Sequence, residues 1–140
     1  MAHVTIRPFA PKDTADVIAC WRACNLIAPW NDPESDIALK LAFQPELFFV
    51  AVHEEIVVGT VMVGYEGHRG WINYLGVLPE WRKHDVGRQL MEKAEAVLRA
   101  MGCPKINLMV RKSNLGVLGF YERLGFKPDE VVCLGKRLTP

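Results

Sequence analysis

Apolar and polar positions repeat along the chain with two periods, and the changes from one period to the other predict its elements. Val4-Thr5-Ile6-Arg7 alternates as a half-buried strand does, and Pro8 and Pro11 end it. Asp13 or Thr14 then caps a helix whose apolar positions, Val17, Cys20, Trp21 and Cys24, recur at three- and four-residue intervals. Residues 26–30 break that helix with a loop of unusual apolarity. Asp32 and Pro33 supply the cap and first turn of a short second helix, which ends near Gln44-Pro45. Residues 47–52 and 56–63 are rich in β-formers and, joined by His53-Glu54-Glu55, predict a hairpin. Glycines at 67 and 70 turn the chain into a third strand over residues 71–77.

A long helix follows, its apolar face made by Val86, Leu90, Ala94, Val97, Leu98 and Met101 and its end set by Gly102 and Pro104. Residues 105–110 predict a strand, 115–124 a helix closed by Gly125, and 131–138 a last strand. The order predicts a mixed α/β sheet protein without internal repeats. At 140 residues, half of them hydrophobic, the chain is expected to form one domain over residues 1–140.

Charge and cysteine usage exclude more than they suggest. A net charge of +1 gives no global reason to expect nucleic acid or an anionic membrane as partner. The start Met-Ala-His-Val-Thr lacks a signal-peptide apolar core and no later run reaches the length of a membrane span, so a cytoplasmic protein is expected. Cys20, Cys24, Cys103 and Cys133 form neither a disulfide framework nor a zinc pattern and read as reduced, mostly buried thiols. His3, His53, His68 and His84 are scattered, and no metal is expected.

Chemistry concentrates where the third strand passes through Pro79 and a basic loop into the long helix. There the free N–H groups of the helix's first turn converge, and Arg82, Lys83 and Arg88 add positive charge, which together make a phosphate site. No G-x-G-x-x-G occurs, and the G-x-x-x-x-G from Gly59 to Gly64 is followed by Tyr65-Glu66 within a strand-like run, so neither a dinucleotide fold nor a P-loop fits. Val77, Pro79, Arg82 and Gly87 instead fall on the pattern V-x-P followed by R/Q-x-x-G-x-G/A, with Asp85 where the first glycine is expected. Downstream, Asn114, Tyr121, Gly125 and Phe126 fall on N-x-x-A-x-x-x-Y-x-x-x-G-F/Y. The chain thereby resembles the GCN5-related N-acetyltransferases (GNAT). Trp30-Asn31-Asp32-Pro33, Gly67-His68-Arg69-Gly70 and Leu134-Gly135-Lys136-Arg137-Leu138 are further similar to the small bacterial YpeA-like subgroup.

The resemblance implies a mixed, mostly antiparallel central sheet with helices on both faces, and acetyl-CoA bound where the strands ending near Val77 and Val110 splay apart. Gly76 would relax the first of these strands at a bulge. Backbone amides from Arg82 through Lys83, His84, Asp85, Val86 and Gly87 to Arg88 would hold the diphosphate. The main chain at Leu75 and Val77 would bond the pantetheine and polarise the thioester, and Asn114 would bond the cofactor arm. Tyr121 would be the general acid, a phenol near pKa ~10 protonating a leaving thiolate near ~8.5. Tyr121 packing on its helix's inner face and Asn114 capping that helix are the structural alternatives.

Asp85 also has two readings. A carboxylate about 5 Å from a phosphate charge costs about 1–3 kcal/mol, whereas a carboxylate capping the helix at Val86 turns away from the ligand. No acid lies within residues 71–77, the strand expected to face the acceptor. Glu66, Asn73 and Tyr74 are the candidates there, directly or through a water, and Trp30 and Asp32 the candidates for the acceptor-side wall.

The expected reaction is direct transfer of an acetyl group to a primary amine, of a small molecule or of a protein, in a ternary complex. The alternatives are a non-catalytic acetyl-CoA-binding module and an interaction scaffold that keeps only the fold. A homodimer would need an exposed apolar edge, which the sequence does not identify.

Overall fold

The computed structural model describes residues 3–140, in two compact units, one running through Met109 and the other Val110–Pro140. In the first unit β1 (Thr5–Pro8), β2 (Phe48–His53), β3 (Ile56–Tyr65), β4 (Gly70–Val77) and β5 (Ile106–Leu108) form one sheet in chain order. The first four are antiparallel neighbours, and β5 joins β4 in parallel. Between them lie α1 (Thr14–Ala23), α2 (Pro33–Leu41) and α3 (Val86–Ala100). The β2–β3 connection turns on Glu54 (φ 47°) and Glu55 (φ 69°), the left-handed pair that a tight hairpin needs to match the twist of its strands.

Each face of the sheet is covered. On one, Trp21 of α1 stacks on Tyr74 of β4 at 3.7 Å between ring centroids and on Phe48 of β2 at 6.2 Å, and Phe9, Val17, Ile37, Val50 and Val57 pack in the same cluster. Asp13 stands at the start of α1 without capping it: its buried carboxylate accepts from Arg7 Nη1 and Nη2 at 2.8 and 2.9 Å and from Ala10 N–H at 2.8 Å. On the other face α3 buries Val86, Leu90, Met91, Ala94 and Leu98. Met101, placed on that apolar stripe by the periodicity, is 43% exposed, because the helix ends there and Gly102 (φ 83°) turns the chain away. Gly59 lets α3 approach, since a Cβ there would lie 3.0 Å from Leu90 Cδ1 and 3.1 Å from Val86 Cγ1.

The irregularity that matters for function is in β4. The β3–β4 register moves from Thr60↔Gly76 to Met62↔Asn73, which places one extra residue in β4, and Tyr74 holds φ 50°. The bulge is thus carried by Tyr74. Gly76, expected to supply it, serves a different need: a Cβ there would stand 2.8 Å from Leu26 Cδ1 and 3.3 Å from Cys24 Sγ. Parallel pairing with β5 covers Gly70, Trp71 and Ile72 and stops before the bulge. Beyond it β4 runs on without β5 beside it, and this is the splay.

The second unit holds a 3-10 turn (Lys112–Val117) and α4 (Leu118–Arg123). Gly125 (φ 95°) closes α4, with Phe126 N–H donating to the Tyr121 carbonyl at 3.0 Å. The last strand expected over residues 131–138 does not form. Val131, Val132, Leu134 and Leu138 are at least 77% exposed, and β-forming residues without a partner strand in their own unit build no ladder.

Candidate active site

The basic loop after β4 is a 3-10 turn, Pro79–His84, that delivers the chain to α3 through Asp85. Asp85 adopts φ 64°, ψ 19°, a left-handed conformation for which glycine is the unstrained residue. Its carboxylate does not cap α3 as the capping alternative supposed. Instead Arg88 Nε donates to both its oxygens at 2.8 Å, Arg88 Nη2 to Oδ2, and Arg88 Nη1 reaches on to Glu92. That hydrogen bond holds the Asp85 carboxyl below the usual carboxylate range.

The first turn of α3 carries no acidic residue, and its leading N–H groups have no intrahelical acceptor. Arg82, Lys83 and His84 precede it. His84 packs on Trp81 at 5.0 Å between ring centroids, and among the described residues its buried Nδ1 has no hydrogen-bond partner. An uncapped fifteen-residue helix behind a basic turn fits a phosphate-bearing ligand.

At the end of β4 the Val77 carbonyl is already engaged. Arg82 Nε donates to it at 3.1 Å and Cys24 Sγ at 3.2 Å. The Cys20 thiol next to it, together with Arg82, holds the Cys24 thiol down to about 6, while its bond to Cys24 and burial push Cys20 up. Any part Val77 plays toward a pantetheine therefore falls to its N–H.

On the α1–α2 side of β4 opens a cleft of about 580 Å³. Asn73 and Tyr74 of β4 line it with Asn31 and Asp36 of the α1–α2 region. The Tyr74 hydroxyl donates to Asp36 Oδ2 at 2.5 Å, and Asn31 Nδ2 donates to the same oxygen at 3.2 Å and to the Tyr74 hydroxyl at 3.3 Å. Thr60 steadies the wall from beneath, accepting from Trp21 Nε1 at 3.0 Å and donating to the Tyr74 carbonyl at 2.8 Å.

Other residues singled out from the sequence take up different positions. Glu66 is exposed in the β3–β4 turn, where its Oε1 accepts from His68 N–H at 3.0 Å and from Arg69 N–H. Asp32 caps α2 through Glu34 and Ser35 N–H at 3.1 and 3.3 Å, and Trp30 is 66% exposed. Sequence reasoning passed over Asp36. At four residues from both Asp32 and Lys40 it reads as one of a row of charges on an exposed helix face, and only the hydroxyl of Tyr74, in a strand whose other polar side chain is Asn73, hints at a polar partner.

In the second unit, Tyr121 packs edge-on against Phe120 at 5.1 Å and Phe126 at 5.8 Å, and burial raises its phenol. Asn114 is exposed and lies within the 3-10 turn at φ −126°, ψ 38°, so it is not the cap of α4; Val117 occupies that position. Of the four cysteines, Cys20 alone is buried, Cys24 and Cys103 are partly so, and Cys133 is exposed. Among the described residues no group of three or more metal-binding side chains occurs and no helix is long and apolar enough to cross a membrane.

Comparison with known proteins agrees with this geometry. An acetyltransferase of Yersinia enterocolitica is 48% identical over 133 residues, 95% of this chain and 94% of that one. Among solved structures, Ard1 from Thermoplasma volcanium superposes with a TM-score of 0.76 at 25% identity, covering 89% of this chain and 82% of the other. The PaiA N-acetyltransferase of Thermoplasma acidophilum, solved in complex with coenzyme A, shares the fold at a TM-score of 0.74 and 19% identity, over 93% of both chains. Residues 15–126 match the sequence profile of the Acetyltransferase (GNAT) family, and the chain belongs to that family of acetyltransferases.

Proposed function

We infer that the protein transfers the acetyl group of acetyl-CoA directly to a primary amine seated in the α1–α2 cleft, with both substrates bound together. One observation carries this reading: Asn73 and Tyr74 line the cleft and also begin the stretch of β4 that runs on beyond β5. An acceptor in the cleft then lies beside the open strand, and the uncapped α3 terminus lies at that strand's far end.

Acetyl-CoA supplies the thioester. The amides from Arg82 to Arg88 suit its diphosphate, the β4 main chain at Leu75 and Val77 its pantetheine, and Asn114 its outer arm. A new N–C bond forms as the C–S bond breaks; the nitrogen gives up two protons, one before attack and one as the amide forms, while the thiolate sulfur takes one and one is released. Asp36 accepts both of its hydrogen bonds on Oδ2, which leaves Oδ1 for the ammonium and its proton. Glu66 holds a turn and Asn73 has no basic atom, so neither competes with Asp36 as base. Tyr121 is the proton donor, and burial, by raising its pKa, keeps the phenol protonated for that role.

Calorimetric titration with acetyl-CoA, followed by an acetyl-CoA-dependent thiol-release assay on an amine panel, tests the reading. Saturable one-to-one binding and amine-dependent release are expected, with Tyr121→Phe lowering kcat about a hundredfold. Binding without release from any amine would favour the non-catalytic module, and no binding would remove the functional reading altogether.

A further inference from the structure

Transfer to an amine calls for one anionic group in the cleft, yet the cleft also contains a cation. Lys40 is only 9% exposed, a rare state for a lysine that, among the described residues, has no carboxylate hydrogen-bonded to it. Its Nζ donates to the Val63 carbonyl at 2.5 Å. Burial holds the amine below the usual lysine range, with the charge of Glu46 acting in the opposite sense. Lys40 follows Asp36 by one turn of α2, about 6 Å along the same face, and both residues line the cleft. Each retains hydrogen-bonding capacity. Asp36 keeps Oδ1, and Lys40 has three N–H donors and spends one of them on Val63. Asn31, Asn73 and Tyr74 add polar groups on the β4 side, and the rest of the lining is apolar, with Leu39 and Phe43 exposed by 70% and 64% and Met62 half-buried.

An anion and a cation one helical turn apart, beside the apolar side chains of Leu39, Phe43 and Met62, match a small molecule that carries the two opposite charges on an apolar body. We propose that the acceptor is a free α-amino acid with an apolar side chain, its ammonium on Asp36 Oδ1 and its carboxylate on Lys40 Nζ. The inference rests on reading the cleft as the acceptor site. A peptide N-terminus would present a neutral amide to Lys40, and the ε-amine of a protein lysine would present nothing, so neither gives the buried amine a counter-charge. A bound carboxylate does, and it restores the charged form that burial disfavours.

The test compares leucine, methionine and phenylalanine with their amides and their decarboxylated amines, using the full chain and acetyl-CoA and following thiol release. The free acids should exceed the amides in kcat/KM by tenfold or more. Lys40→Met should bring that ratio close to one, and Lys40→Arg should retain most of it. Because the ratio is taken within one preparation, partial loss of folded protein in a variant does not mimic the effect. Amides or amines consumed as well as free acids by the unsubstituted protein, or a ratio unchanged in Lys40→Met, would overturn the inference and leave the acetyltransferase reading standing. Acetylation of none of these amines would overturn the inference, while the acetyltransferase reading would fall only if no amine of the wider panel were used.

Discussion

The two faces of the sheet are built by different chemistry. Behind it, α3 places Val86, Leu90, Ala94 and Leu98, each no more than 1% exposed, over Gly59, Val61 and Val63, and the contact is apolar packing. In front, the core of α1 and α2 is threaded by a polar line from Trp21 through Thr60 to the backbone of Tyr74, and from the Tyr74 hydroxyl to Asp36 and Asn31. An apolar face gains from area alone and tolerates repacking, whereas a polar line in a low-dielectric interior costs free energy wherever an atom is unpaired, as Asn31 Oδ1 is among the described residues. The first kind of face carries the scaffold, and the second can aim a carboxylate into a cleft.

Removing packing from the rear face gives the largest expected effect. Leu90→Ala deletes a fully buried side chain wedged against Gly59, and should cost about 3 kcal/mol in urea unfolding. The acceptor KM of the protein that remains folded should not move. A shifted KM would show that the faces are coupled, and the contrast would fail.

A smaller and more local effect belongs to the front face. Thr60→Val is nearly isosteric but leaves Trp21 Nε1–H and the Tyr74 carbonyl without the buried hydroxyl between them, at about 2 kcal/mol. Because Thr60 steadies the bulge from which the Tyr74 hydroxyl reaches Asp36, acceptor KM should rise as well. A cost below about 0.5 kcal/mol, with KM unchanged, would make the polar line incidental.

This contrast also explains what could be read from the sequence. The rear face announced itself, since Val86, Leu90, Ala94 and Leu98 recur with helical period and pack on strands rich in valine; Met101 and the half-buried Val97 were placed too deep, and the buried Met91 was missed. The turn between β4 and α3 was equally plain, because Pro79 and the run Arg82-Lys83-His84 mark it in the sequence itself. The front face was not legible. Its carboxylate, Asp36, is bonded to a tyrosine 38 positions away, and no period along the chain records such a pairing. The bulge was anticipated on the wrong residue for a related reason. Glycine is the usual signal for a positive φ, but Gly76 answers to the approach of Leu26, and the left-handed conformation falls on Tyr74, whose ring is held on Trp21. The final strand failed because alternation of apolar residues states only a preference, which takes effect when a neighbouring strand supplies the ladder.

The smallest effect lies where the sheet meets the basic loop, and there the two kinds of chemistry oppose each other at one residue. Asp85 takes a left-handed conformation that glycine would adopt without strain, and its carboxylate engages Arg88, one of the cations at the α3 terminus. Asp85→Gly relieves the backbone, by about 1 kcal/mol or less, and frees the Arg88 guanidinium for an anion while Glu92 still competes for it. Stability should therefore change little, and calorimetric affinity for CoA should rise by about three- to tenfold at low ionic strength. The gain should shrink as salt screens the exposed charges. An equal or weaker affinity in the glycine variant would mean that the Asp85–Arg88 pair does not oppose the anion and that the pair instead holds the loop in its binding shape. Arg88→Ala separates these outcomes: if the arginine matters only once released, its loss should leave the parent protein's affinity nearly unchanged and cancel the gain made by Asp85→Gly.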